Sequence, residues 1–306
     1  MSRAALVDAS LDLAWRLWTE LGVPGVQGIA EPMVVDPEPL VVWSPSVIGE
    51  DPRLRDLVFG WCQQHGDRLS ASRLRGVLKT MSPGGVSSFG GFVAALGAHS
   101  NLRWPGAVEA DEPWPVPQER RELQLPMSRG SMLRFRLRAL SGVGTRADVL
   151  CELLGADGAW LSASDLVEQG YTKRNIGRVL SELDLAGLVR SRADGNALRY
   201  QLVDAQTLGG LVAAPARAAY PRWGAIFRLM ALFLETATKL EAQPPVVQRV
   251  EGHKAREQAD ALAGQLGIDS PPTTAGNPQA FADFIGWAVA ESKALADGSS
   301  AAFVRR

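Results

Sequence analysis

Lys173, Arg174, Asn175 and Arg178 stand within one short stretch, Thr172-Lys-Arg-Asn-Ile-Gly-Arg-Val-Leu. Cations and an amide this close together suit the recognition of a polyanionic duplex. Guanidinium and ammonium groups pair with guanine edges or phosphate, and a carboxamide pairs with adenine. Arg190, Arg192 and Arg199 follow on two runs with strand character. Over residues 171–203 six cations face three acids, Glu182, Asp184 and Asp194. That surplus neutralises few phosphates, so one copy is a weak binder and a pair of copies is expected.

Position is supplied by the pattern around these residues. Ile176, Val179, Leu180 and Leu183 recur at helical spacing, which predicts a helix with an apolar face and with Lys173, Arg174 and Arg178 turned away from it. Thr172 is its expected N-cap. Upstream, Ser162 and Asp165 form a capping-box-like pair that predicts a short helix from Ser162 to Glu168. Gly170 supplies the turn that ends it, and Tyr171 packs across the corner. Arg146–Leu154 is a further apolar-periodic helix. Downstream, Asp194-Gly195-Asn196 between Leu188–Ala193 and Leu198–Val203 predicts a hairpin with Leu198, Tyr200 and Leu202 inward. Together these elements read as a helix-turn-helix with a wing.

Residues 146–203 resemble the MarR/ArsR-like winged helix-turn-helix regulators of bacteria. The resemblance implies a homodimer that binds double-stranded DNA at an operator and controls transcription, as a repressor. Thr172, Lys173, Arg174, Asn175 and Arg178 would meet the major groove. Arg190, Arg192 and Arg199 would hold the wing to the backbone. Arg134, Arg136 and Arg138, in a basic stretch just upstream, are candidate phosphate contacts. Winged helices also dock proteins. The alternative is therefore a non-catalytic partner, an antitoxin-like or adaptor protein of a bacterial defence operon, whose acidic N-terminal module binds a basic protein.

Total charge neither demands nor forbids either reading. The 306 residues carry a formal net charge of −1, but the distribution is uneven. Residues 1–60 hold nine acids against four arginines, whereas residues 120–150 hold seven arginines against Glu122 and Asp148. Cys62 and Cys151 lie far apart in apolar runs, so buried reduced thiols and a cytoplasmic protein are expected. His65, His99 and His253 are scattered and predict no metal site. Asp8 and Asp12 interrupt any signal-peptide pattern, and no apolar run is long enough to span a bilayer, so no membrane association is expected.

Catalytic constellations fail one by one, and neither an enzyme nor a cofactor is expected. The segment Gly84–Gly91 lacks the Lys-Ser/Thr of a phosphate-binding loop and reads as a flexible turn. Gly130-Ser131 has no acidic pair after it to hold metal ions. Asp36 with Glu38, and Glu109 with Asp111 and Glu112, sit among prolines and read as solvated loop acids. Cys62 and His65, at i, i+3, read as ordinary packing.

The chain divides by composition into an N-terminal α+β module (1–104), a Pro-rich linker (105–128), the winged helix (129–212) and a C-terminal helical module (213–306). The fold class is mainly α with small β elements. In the first module Met33-Val-Val and Leu40-Val-Val-Trp are expected to pair as a hairpin. In the last, Trp223–Leu234 presents a broad apolar face, expected to serve dimerisation or effector sensing.

Overall fold

The computed structural model describes residues 3–25, 33–108, 113–117, 121–167, 170–216, 218–272 and 279–303. Glu109, Asp111, Glu112, Arg120 and Glu168 lie outside the described residues. Among those described, twelve α-helices and one three-stranded antiparallel sheet make the chain mainly α with a small β component.

The first part contains α1 (Arg3–Glu20), α2 (Pro37–Trp43), α3 (Pro52–His65), α4 (Ala71–Leu78) and α5 (Pro83–Ala98). Their starts follow local chemistry. Asp51 accepts a hydrogen bond from Leu54 N at 3.0 Å, Ser70 from Arg73 N at 3.3 Å and Ser82 from Gly85 N at 3.4 Å. Proline occupies the first turn of α2, α3 and α5, where its missing N–H costs nothing.

Two expectations for this part are corrected. Leu40–Trp43 belongs to α2 rather than to a strand, and every residue of α2 is buried. An apolar run buried on all sides carries no period by which helix and strand can be told apart. Met33 forms only an isolated parallel bridge with Ala219. Gly84–Gly91 is the first half of α5, not a turn. Its glycines permit close approach: a Cβ on Gly90 would lie 2.3 Å from Val108 and 2.9 Å from the Gly106 carbonyl oxygen.

The winged helix comprises α6 (Leu133–Ser141), α7 (Thr145–Gly155), β1 (Leu161–Ser162), α8 (Lys173–Leu185), β2 (Val189–Asp194), β3 (Ala197–Leu202) and α9 (Ala205–Leu211). The sheet order is β1-β3-β2. Asp194 pairs with Ala197 across a two-residue turn whose first member, Gly195, has φ 57°. The Ser162–Asp165 box forms, with Ser162 N and Oγ donating to Asp165 at 2.8 and 2.9 Å. It opens a turn, however: residues 163–166 are not α-helical. Tyr200 and Leu202 point into the core, while Leu198, expected beside them, is half exposed near the wing tip, where the sheet has outrun the core.

The last part is α10 (Trp223–Leu240), α11 (Pro245–Leu266) and α12 (Ala280–Asp297). Hydrophobic burial does not follow chain order. One cluster unites the first and last parts, with Trp18, Trp43, Trp61, Phe89, Phe227 and Phe284 fully buried in it. Within it α1 packs on α12 and α10, α10 packs on α2, and Trp43 stacks on Phe227 at 4.7 Å. The broad apolar face of α10 is thus covered within the chain, where a subunit or effector contact had been expected. A second cluster belongs to the winged helix and includes Leu137, Leu150, Ile176, Leu180 and Tyr200. Val34 joins that second cluster, and its carbonyl accepts from Trp223 Nε1 at 2.8 Å. No described helix is long and apolar enough to cross a membrane.

Candidate nucleic-acid interface

Helix α8 displays the predicted amphipathicity. Ile176, Val179, Leu180 and Leu183 are buried, while Thr172, Lys173, Arg174 and Arg178 are exposed. Thr172 Oγ1 accepts from Asn175 N at 3.2 Å, so the expected cap forms. Arg178 donates to Glu182 at 3.1 Å, and Arg146 donates to the same carboxylate at 2.8 Å. Among the described residues, Lys173 and Arg174 have no carboxylate within 4.0 Å. The N-terminal half of α8 is therefore the cationic end and the half bearing Glu182 and Asp184 is not.

Asn175 is placed differently from its neighbours. Its Nδ2 donates to Thr145 Oγ1 at 2.7 Å, and its Oδ1 accepts from Arg178 at 3.3 Å. Both ends of the amide are occupied, joining α8 to the start of α7. An outward pairing with adenine requires this bond to break.

On the wing, Arg190 opposes Gln201 and Arg192 opposes Arg199, so these four side chains share one face of the sheet. Arg192 lies over the Trp160 ring at 4.3 Å and Arg190 at 5.5 Å. Arg190 also donates to Gln201 Oε1 at 2.6 Å. Arg199 is tied to Asp194 and sits 3.6 Å from Asp165, which relieves its repulsion with Arg192. Arg190 and Arg192 are thus the wing cations left with their charge uncompensated among the described residues, and Trp160 holds both in place.

The upstream arginines correct the expectation of phosphate contacts. Arg134 and Arg138 are each only 3% exposed, and Arg136 is bound to backbone carbonyls, among them Val212 O at 2.6 Å and Ala213 O at 3.0 Å. Arg134 donates to Asp148 at 2.9 Å and to Glu152 at 3.0 Å. Arg138 donates to Asp148 at 2.9 Å, to Glu38 at 2.9 Å and to the Arg68 carbonyl at 3.1 Å. Arg73, on α4, is bidentate to Asp36 and donates to Glu38 at 2.7 Å. The Tyr171 hydroxyl donates to Asp148 at 2.7 Å, and Ser70 N to Glu38 at 2.8 Å.

Asp36 and Glu38, which the sequence suggested were solvated, are 5% and 0% exposed and lie at the centre of this cluster. Burial alone would push the carboxyls of Asp148 and Asp36 upward. For Asp148 the charges of Arg138, Arg73 and Arg134 outweigh burial, as those of Arg134 and Arg73 do for Asp36, and both groups stay below the ordinary carboxylate range. Tyr171 is pushed up by burial and by the Asp148 charge beside it, so its hydroxyl remains a donor. The cluster joins α2 and α4 of the first part to α6, α7 and the turn before α8. It is the feature that sequence reading missed. The usable signal is paired spacing: Arg134 with Arg138 and Asp148 with Glu152 are each i, i+4, on helices joined by the short Gly142–Gly144 turn.

Backbone contact reinforces the same joint. A Cβ on Gly76 of α4 would lie 1.8 Å from the Gly170 carbonyl oxygen, and Gly170, at φ 82°, packs against Arg73. Cys62 and Cys151 are buried free thiols, and burial pushes the Cys151 thiol up to about 12. Among the described residues no group of three or more potential ligands could hold a metal ion. Comparisons with models of known protein families, with curated proteins and with solved structures find no match.

Proposed function

We propose that this chain is a DNA-binding transcriptional regulator, a repressor acting as a homodimer, that reads duplex DNA with the N-terminal half of α8. The observation that carries this reading is the exposure of Lys173 and Arg174 without carboxylate partners, at the start of a capped helix in a winged scaffold. Lys173 and Arg174 meet base edges or flanking phosphates. Arg178 joins them by exchanging Glu182 for the duplex. Arg190 and Arg192, held over Trp160, touch the backbone beside the groove. Two copies are needed because one module neutralises few phosphates.

The test is selection of bound duplexes from a random-sequence pool by the full chain, followed by titration of the selected duplex. An enriched sequence bound more weakly by Arg174→Ala supports the reading. Absence of enrichment, with binding independent of salt, removes it.

A second reading, a protein-docking winged helix in an adaptor or antitoxin-like partner, is favoured by one specific feature. Leu185 is 93% exposed at the end of α8; Leu188, just after it in sequence, is exposed too, as is Val203, whose N–H donates to the Leu188 carbonyl at 3.0 Å. Substituting Leu185 by Glu leaves DNA titration unchanged under the first reading and abolishes partner capture under the second.

A further inference from the structure

We infer that α4, an element of the first part of the chain, forms an accessory contact for the duplex backbone through Arg75 and its C-cap residue Lys79. This inference rests on the DNA-binding reading of α8 and extends its surface beyond the winged helix. Three observations carry it.

The first is adjacency. Gly76 and Gly170 bring the backbone of α4 into contact with the turn that leads into α8, three residues before Lys173. The exposed side of α4 therefore lies within one turn's reach of the start of α8. The second is orientation. Arg73, Gly76 and Val77 make the strip of α4 that meets Gly170. Ser72, Arg75 and Lys79 follow at i, i+3, i+7 on the exposed side bordering that strip. Among the described residues neither Arg75 nor Lys79 has a carboxylate within 4.0 Å, unlike Arg73 on the same helix. The third is rigidity. Arg73 is held by Glu38 and faces Asp148, which bind Arg138 and Tyr171 in turn, so α4 is tied to the turn before α8 before any ligand arrives.

Cations on a fixed helix beside a reading head match phosphate in charge and carry no base preference. The occupant is thus the sugar–phosphate backbone of the same duplex, just outside the groove that α8 enters. The arrangement also explains why the winged helix needs few cations of its own: a neighbouring helix supplies two more.

The experiment titrates the full chain with two probes, the duplex selected by the wild type and a random-sequence duplex of equal length, at several salt concentrations. The variants are Arg75→Ala with Lys79→Ala, Arg174→Ala, and the charge-matched control Arg249→Ala with Lys254→Ala on α11. The α4 variant is expected to weaken both probes alike and to lower the log–log salt slope by about 2. Its deficit relative to the wild type then shrinks about tenfold between roughly 50 and 200 mM salt. Arg174→Ala is expected to weaken the selected probe more than the random one. Wild-type affinity and slope in the α4 variant, with Arg174→Ala still impaired, overturn the α4 contact and leave the α8 reading standing. An equal loss in the α11 control also overturns it, because net charge alone would then account for the effect. Failure of the wild type to bind either probe removes both.

Discussion

Two arginine-rich segments lie forty residues apart and meet opposite fates. On α6, Arg134 and Arg138 are sealed under the first part of the chain and locked to Asp36, Glu38, Asp148 and Glu152. On α8, Lys173, Arg174 and Arg178 remain in solvent, and of these only Arg178 has a carboxylate partner among the described residues. Residue type does not separate the two groups. What separates them is whether another element packs over the helix. The buried group is a joint that sets the position of the winged helix; the exposed group is a surface available to a polyanion.

The largest effect that tests this contrast comes from removing the charge of Asp148. Asp148→Asn leaves Arg134 and Arg138 buried against a neutral partner and is expected to destabilise the fold by about 3–5 kcal/mol at neutral pH, read by denaturant unfolding. The pH dependence has a definite sign. Folded Asp148 and Asp36 titrate below their unfolded values, so their contribution is complete above a pH of about 4 and is lost as pH falls through the folded range. The gap between wild type and Asp148→Asn should therefore be widest near neutrality and narrow in acid. A gap that stays constant down to acid pH would mean that the cluster is not ionised as described.

Gly76→Ala is expected to follow, at about 1–3 kcal/mol, because its new methyl meets the Gly170 carbonyl, a backbone atom that cannot swing aside. An unchanged unfolding midpoint would show that the joint has slack. On the exposed side, Arg174→Ala should cost about 1–3 kcal/mol of binding to a selected duplex while moving stability by less than about 0.5 kcal/mol. A large stability loss there would erase the distinction between the two groups. The smallest expected effect is a gain: Gly177→Ala on α8, with nothing within 4 Å of its Cβ, should stabilise the fold by up to about 1 kcal/mol. Loss of stability would reveal packing on α8 that the structure does not show.

Much of the scaffold was legible from periodicity and caps. The helices α1, α3, α7, α8 and α10 to α12 carry apolar spacing or Pro, Ser, Thr and Asp start signals. The 194–196 turn was announced by its Asp-Gly-Asn sequence. Misreadings fell where local pattern is silent. In α2, complete burial erased any period; in α5, glycines chosen for close packing imitated a loop. The outward residues of α8 were legible because a stripe of apolar residues fixes which side must face water.

The sequence by itself determined that residues 146–203 build helices followed by a hairpin, and which face of α8 stays polar, since both follow from spacing within a few turns. Only the tertiary structure decided which arginines stay in water. Arg134 and Arg138 are buried because Asp36, Glu38 and Arg73, which precede Asp148 and Glu152 by 75 to 116 residues, converge on them across the packed joint between the two cores. Charge compensation of that kind depends on distances of a few ångströms in space, which spacing along a chain does not encode.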